Sequence, residues 1–190
     1  MRTGQLPEGA QRILVYGVTG SGKTTLAARL AQATGIPWHS VDDLTWKPGW
    51  VTVPPDEQRR RIEEICTGPE WILDTAYSAW LDLPLARAQC IVALDYPRWL
   101  SLQRLLRRTV ARVLDHRTIC NGNQETLRDI VARDSILVWH FRSFQRKRER
   151  IRAWSADPSA PPVLRLTSAR ETEAWLARGP KGVVSSRGTA

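Results

Sequence analysis

Nine residues near the start of the chain, Gly17-Val18-Thr19-Gly20-Ser21-Gly22-Lys23-Thr24-Thr25, contain the pattern G-x-x-x-x-G-K-[ST]. Glycines at this spacing let a loop curl until successive backbone N–H groups aim inward at phosphate oxygens. A helix beginning near Lys23 would add the positive end of its dipole. Lys23 is long enough to reach β- and γ-phosphates, and the Thr24 hydroxyl is a hard oxygen suited to Mg2+. Gly17, Thr19, Gly20, Ser21, Gly22, Lys23, Thr24 and Thr25 are therefore expected to hold ATP, with Mg2+ as cofactor.

Transferring a phosphoryl group asks for more. Mg2+ favours a nearby carboxylate, and the attacking hydroxyl needs a base to accept its proton. Asp42, Asp74 and Asp95 each close a short apolar run and are the candidates. Aspartates there also cap turns, so spacing alone assigns none of them. Arg104, Arg108 and Arg112 recur every four residues, with Arg107 beside them, and Arg142, Arg146 and Arg150 form a second series. Guanidinium groups can stabilise the charge that spreads over a transferred phosphoryl group, although such stripes also suit a solvated basic face. Trp38, Trp46 and Trp50 could line an acceptor pocket or fill the core.

The elements that must position these groups are legible as alternating strands and helices. RILVYG (12–17), IPWHSV (36–41), EWILD (70–74), CIVALD (90–95) and VLRL (163–166) read as short buried strands. Helices are predicted at KTTLAARLAQAT with Gly35 as its C-cap, and from Asp56 as N-cap to Gly68. A loop and short helix fill 75–88. Long helices follow at about 98–114 after Pro97 and at 134–155, and Ser168 with Glu171 has capping-box spacing for the last one. LTWKPGWVTVPP reads as a loop, and DHRTICNGNQE (115–125) as a turn-rich segment. Leu102, Leu105, Leu106, Val110, Val113 and Leu114 are expected to face the core from one long helix. Ile136, Leu137, Phe141, Phe144 and Ile151 are expected to do so from the other. The alternation predicts an α/β fold, a three-layer α/β/α P-loop NTPase with a five-stranded, mostly parallel sheet. The domain would span 12–178, with a helical, arginine-bearing lid at about 104–150. Residues 1–11 would form a flexible leader and 179–190 a disordered tail. Ligands of such sheets sit beyond the carboxyl ends of the strands, where the three aspartates lie.

The 190 residues suffice for one well-cored domain. No apolar run is long enough to span a membrane, and MRTGQLPEGA lacks a signal-peptide core, so a cytoplasmic protein is expected. Cys66, Cys90 and Cys120 are odd in number and scattered, as reduced thiols are. His39, His116 and His140 are read as surface or half-buried residues rather than metal ligands. The net charge is +9, and of 28 basic side chains only Lys23, Lys47, Lys147 and Lys181 are lysines. Such a charge attracts polyanions, nucleic acid among them.

The segments GVTGSGKTTLA (17–27), VDDLTWKPGW (41–50), WILDTAY (71–77) and CIVALDYPR (90–98), with the arginine helix after them, resemble adenylate kinase-like P-loop proteins of the DNA topology modulation (FlaR-related) family. The likeness covers about 12–177. It implies a nucleotide kinase-like fold with the P-loop strand at the sheet's centre. It also implies that Asp74, with Thr24, serves Mg2+, that Asp42 faces the acceptor, and that Asp95 is structural. Family members commonly carry Asp-Gly-Asn-Tyr where this chain has Asp74-Thr75-Ala76-Tyr77, which weakens any acceptor contact carried over to that turn.

The expectation is a kinase passing the γ-phosphoryl group of ATP to a nucleotide or another small acceptor. Lys23, Asp42, Arg104 and Arg108 would be catalytic, and Asp42, Trp46, Trp50 and Tyr77 would contact the acceptor. A nucleic-acid-associated NTPase is the alternative, although no helix-turn-helix, RNA-recognition or zinc module is apparent. A GTPase switch is disfavoured because the chain has no Asn-Lys pair from which to build a base-reading segment.

Overall fold

Five of the chain's short apolar runs pair into a single parallel sheet in the computed structural model. The structure describes residues 7–75, 77, 79–114, 118–119, 123–124 and 136–179, with side chains for all but 112–114, 118–119, 123–124 and 136–139. Most of the expected leader, tail and turn-rich segment, together with Cys120, His116 and the side chains of Arg112, Val113, Leu114, Ile136 and Leu137, lies outside those residues.

In chain order the elements are β1 (Arg12–Gly17), α1 (Lys23–Thr34), β2 (Trp38–Ser40), α2 (Val41–Thr45), β3 (Trp46–Lys47), β4 (Val51–Thr52), α3 (Pro55–Thr67) and β5 (Trp71–Thr75). They continue with α4 (Asp82–Arg87), β6 (Cys90–Leu94), α5 (Arg98–Leu114), β7 (Thr118–Ile119), β8 (Asn123–Gln124), α6 (Ile136–Ala156), β9 (Val163–Leu166) and α7 (Ala169–Ala177). The sheet order is β2-β5-β1-β6-β9, which puts β1, and the phosphate loop it feeds, at the centre.

Strand alternation divides the core into two layers. Ile13, Val15, Ile72, Val92 and Leu94 point to one face and pack with Leu26, Ala27 and Leu30 of α1 and Trp175 of α7. Leu14, Tyr16, Leu73, Ile91 and Ala93 point to the other, against Ile62 and Cys66 of α3, Trp80, and Ile151 of α6. Both faces are covered, so the strands read as continuous apolar runs. The result is a P-loop kinase-like α/β/α sandwich. Cys66 and Cys90 are buried free thiols, and burial pushes both up to about 12. Among the described residues no helix is long and apolar enough to cross a membrane.

Several local expectations change. The second strand stops at Ser40, because the Val41 N–H turns to Asp74 and a short helix begins. Asp42 and Asp43 thus occupy the first turn of α2. The tryptophan-rich loop contains the β3–β4 hairpin. Helix α3 starts at Pro55, a residue pre-shaped for a first helical turn, and Asp56 lies in that turn without capping it. Ser168 does cap α7, accepting from the Glu171 N–H at 3.1 Å.

The faces that the long helices bury match those predicted only in part. Helix α5 turns Ser101, Leu105 and Thr109 inward, while Leu106 and Val110 are exposed and Leu102 is half-buried. The cause is close packing on Gly20: a Cβ there would stand 2.3 Å from the Ser101 carbonyl oxygen and 3.0 Å from Leu105 Cβ. On α6, Phe144 and Ile151 are buried as expected, but Phe141 is half exposed and His140 takes the inward position. Trp38 packs against the core layer of α1.

Candidate functional site

The loop from Gly17 to Gly22 is shaped by its glycines. Gly20 and Gly22 adopt φ of +80° and +94°, which L side chains rarely tolerate. Gly22 ends the loop as the N-cap of α1 without any side-chain cap, so the helix's first N–H groups stay available to an anion. Ser21 is buried, and its hydroxyl has no hydrogen-bond partner among the described residues. A Cβ on Gly17 would sit 2.8 Å from that hydroxyl oxygen, so Gly17 keeps the loop closed on itself. Lys23 Nζ donates to the Val18 carbonyl at 3.1 Å, folding its ammonium back over the loop. Burial lowers its pKa, against the pull of Asp74 and Asp42.

Asp74 is 5% exposed at the end of β5, next to the central strand. Its Oδ1 accepts the Val41 N–H at 3.1 Å, and the Thr24 hydroxyl also bonds to its carboxylate. Burial raises its pKa, and Thr24, Lys23 and the Val41 N–H act in the lowering direction. By anchoring the start of α2, Asp74 also delivers Asp42, whose charge acts on both Lys23 and Asp74. Lys23, Thr24, Asp42 and Asp74 are therefore gathered at one end of the sheet, as expected.

Asp95 follows β6 at the same end of the sheet, but its carboxylate is taken up by arginines instead. It is buried and holds Arg148 at 2.5 Å and Arg165 at 2.5 Å, tying α6 to β9.

On the far side of Asp42 lies an aromatic wall. Trp46 Nε1 donates to the Tyr77 hydroxyl at 3.1 Å, and that hydroxyl donates to Asp42 Oδ1 at 3.3 Å. Burial, with Asp42 next, pushes the Tyr77 phenol up to about 12, so it remains a donor. Tyr77 stacks on Trp80 at 5.8 Å, and Trp50 meets Trp46 edge-on at 5.7 Å. Trp50 carries a left-handed φ of 55° in the hairpin turn, a conformation costly for a bulky residue.

The arginines divide. Arg104 Nη1 donates to the Ser21 carbonyl at 3.1 Å, and its guanidinium lies 5.2 Å from the Tyr96 ring centroid, so it braces the loop's backbone. Arg108 bears electrostatically on Lys23. Arg142 and Arg146 are exposed, and Arg150 donates to the Tyr16 hydroxyl at 3.5 Å.

Two residues on α6 depart from the sequence reading, which took His140 as surface or half-buried and gave Lys147 no place. His140 is fully buried, with Nδ1 3.1 Å from the Thr19 carbonyl and Nε2 3.4 Å from Ser101 Oγ. Lys147, 3% exposed, lies on the same helical face. The available signal was the i, i+7 spacing of His140 and Lys147 through Phe144, and a lysine where the chain otherwise uses arginine.

The residues fit a Mg·triphosphate. A cradle with an orphaned buried hydroxyl and uncapped N–H groups suits phosphate oxygens. Thr24 and Asp74 offer the one or two hard protein oxygens that Mg2+ takes when phosphates and waters supply the rest. Among the described residues no three His, Cys, Asp or Glu side chains gather into a protein-only metal cage.

No protein-family model matches the chain, and no curated protein matches it in sequence. Solved structures do resemble it. A gluconokinase from Sinorhizobium meliloti 1021 is 20% identical over 92% of this chain and 94% of its own, with a TM-score of 0.50. A shikimate kinase from Bacteroides thetaiotaomicron is 14% identical over 90% of this chain and 96% of its own, with a TM-score of 0.54. A shikimate kinase from Acinetobacter baumannii, solved in complex with shikimate, is 16% identical over 90% and 92%, with a TM-score of 0.53. At these identities the likeness is one of fold. The chain has the fold of small P-loop kinases, while the resemblance to DNA topology modulation proteins rests on the sequence segments alone.

Proposed function

We propose that the protein transfers the γ-phosphoryl group of ATP to a hydroxyl of a small acceptor. The observation that carries this reading is the gathering of Lys23, Asp42 and Asp74 beside the loop, with the Trp46–Tyr77–Asp42 relay on the acceptor side. The acceptor would lie against Trp46, Trp50 and Tyr77, where aromatic faces exclude water and the Tyr77 hydroxyl fixes the Asp42 carboxylate. Asp42 would take the proton as the acceptor oxygen bonds to the γ-phosphorus and the bond to the β-phosphate oxygen breaks, releasing ADP. Lys23, with Arg108, would spread over the oxygens of the moving group, and Arg104 would keep the loop's backbone in register. Thr24 and Asp74 would hold Mg2+, which supplies charge neutralisation at the phosphates when bound. The unit would span 12–178, with the segment at about 104–150 serving as a lid.

The fold neighbours support the reaction class: those named above are a gluconokinase and two shikimate kinases. The +9 charge favours a second reading, a nucleic-acid-associated NTPase. The test is ADP release from Mg·ATP against a panel of nucleoside monophosphates, nucleosides and small hydroxylated metabolites, with duplex DNA in parallel. Stimulation by one small acceptor is expected. Stimulation by DNA alone would transfer the assignment to the second reading.

A further inference from the structure

His140 is a buried polar side chain that the proposed chemistry leaves without a role, and it touches the phosphate loop directly. It is fully buried on α6, with Nδ1 3.1 Å from the Thr19 carbonyl oxygen and Nε2 3.4 Å from Ser101 Oγ on α5. A carbonyl can only accept, so the proton of the first contact belongs to Nδ1, and the ring donates to the loop. Phe144, one turn along α6, packs against the imidazole with ring centroids 5.5 Å apart.

The Thr19 carbonyl and the Gly20 N–H belong to one peptide unit, and a trans peptide points them in opposite directions. Holding the carbonyl toward α6 therefore aims the Gly20 N–H the other way. The same construction recurs at Ser21. Arg104 of α5 donates to the Ser21 carbonyl at 3.1 Å, which shares its peptide unit with the Gly22 N–H. The Ser21 N–H between them is spent inside the loop, on the Val18 carbonyl at 3.2 Å. Among the described residues no backbone carbonyl takes the Gly20 or the Gly22 N–H. Two donors are thus left for a ligand beside the uncapped start of α1, each fixed from behind by a side chain of a different helix. The chain itself would not fix them, since glycines at φ of +80° and +94° turn more freely than any other residue.

We infer that His140 is a positioning residue of the phosphate site: its Nδ1–H holds the Thr19–Gly20 peptide so that the Gly20 N–H is presented to a phosphate oxygen. This rests on the reading of the loop as a nucleotide cradle. A donor already aimed at the anion spares binding the cost of turning the peptide, whose other face would offer a repelling carbonyl.

The test is titration of the full chain with ATP in EDTA, which prevents turnover, with isotope-labelled glycine amides followed by NMR. In the wild type the Gly20 and Gly22 N–H signals should both move downfield as phosphate oxygens accept from them. His140→Leu removes the donor. ATP should then bind about tenfold more weakly, the loss of one hydrogen bond's worth of positioning, and the Gly20 shift at saturation should fall by about half or more. The Gly22 shift should stay, because Arg104 still holds its peptide. His140→Asn has the shape of leucine but places an amide N–H close to where Nδ1 stood. It should restore the Gly20 shift and bring affinity within about threefold of the wild type. A histidine that only filled space would give these two variants equal losses. Should the leucine variant not fold, His140→Phe, which keeps a ring without a donor, takes its place. Equal affinities in the asparagine variant and the variant without a donor overturn the inference. So does a Gly20 signal that ATP leaves in place in the wild type, or one whose shift survives loss of the donor undiminished. If ATP moved neither glycine in the wild type, the nucleotide cradle itself would fall, which is a different failure.

Discussion

Asp42 owes its place to Asp74. The Asp74 carboxylate captures the Val41 N–H, starts α2, and so turns the next side chain toward Lys23 and Tyr77. Asp42→Asn is expected to lower transfer by about 100-fold or more, as loss of a general base does, with ATP affinity within about threefold of wild type. Single-turnover rates set against nucleotide titrations would separate the two. Tyr77→Phe removes the hydroxyl between Trp46 and Asp42, so kcat/KM for the acceptor should drop about tenfold, the loss of one hydrogen bond to a charged group. KM for ATP should stay where it was. Asp74 makes a pH prediction. Its folded pKa is raised, mainly by burial, so the native state holds that proton more tightly than the unfolded chain does. The ionised carboxylate therefore subtracts from stability at neutral pH, and the deficit fades as pH falls through the raised value. Asp74→Asn should melt higher than wild type near neutrality, with the gap closing in acid, while Mg-dependent turnover falls. At this scale the loop was legible because its glycines and lysine have one common use. His140 and Lys147 were not, because nothing local says which face of an arginine-rich helix turns inward.

Helix α5 decides how the loop is held. Ser101 and Leu105 press on Gly20 so closely that no Cβ fits, and Arg104 takes the Ser21 carbonyl from the same helix. Gly20→Ala combines that clash with an unfavourable φ, and is expected to cost about 1–3 kcal/mol in denaturant unfolding and to weaken ATP binding. Unchanged stability would mean that α5 does not seat on the loop as described. The sequence located the helix, since Pro97 starts it and leucines continue it. Its apolar spacing found Leu105 but misplaced the rest of the described face, because a close backbone approach needs small side chains such as Ser101 and Thr109 and leaves Leu106 and Val110 exposed. The β3–β4 hairpin was hidden for a related reason. Two-residue strands carry almost no periodic signal, and its turn uses Trp50 at positive φ, where turn chemistry leads one to expect glycine or asparagine.

At the scale of the molecule, alternation of apolar runs and helices was enough to set the layers, while the central place of β1 was implied by the family resemblance. The sheet could be anticipated because its central strands are buried on both faces and read as apolar runs. The acceptor could not, since the wall that would meet it joins the contiguous α2 and β3 to the segment after β5, whose Tyr77 lies 31 residues on from Trp46. The +9 charge bears on partners at this scale. ATP affinity should change less than about tenfold between low and moderate salt, whereas binding through many phosphate contacts loses about a thousandfold or more. Parallel titrations with ATP and duplex DNA would read the difference. The most direct test of the whole account is to follow the label from ATP carrying a radiolabelled γ-phosphate, in wild type and Asp42→Asn, with a mixed pool of small hydroxylated compounds. The label should appear in an organic phosphate ester with the wild type and be nearly absent with the variant. Label found only as inorganic phosphate, equally with both proteins, would contradict phosphoryl transfer to a small acceptor.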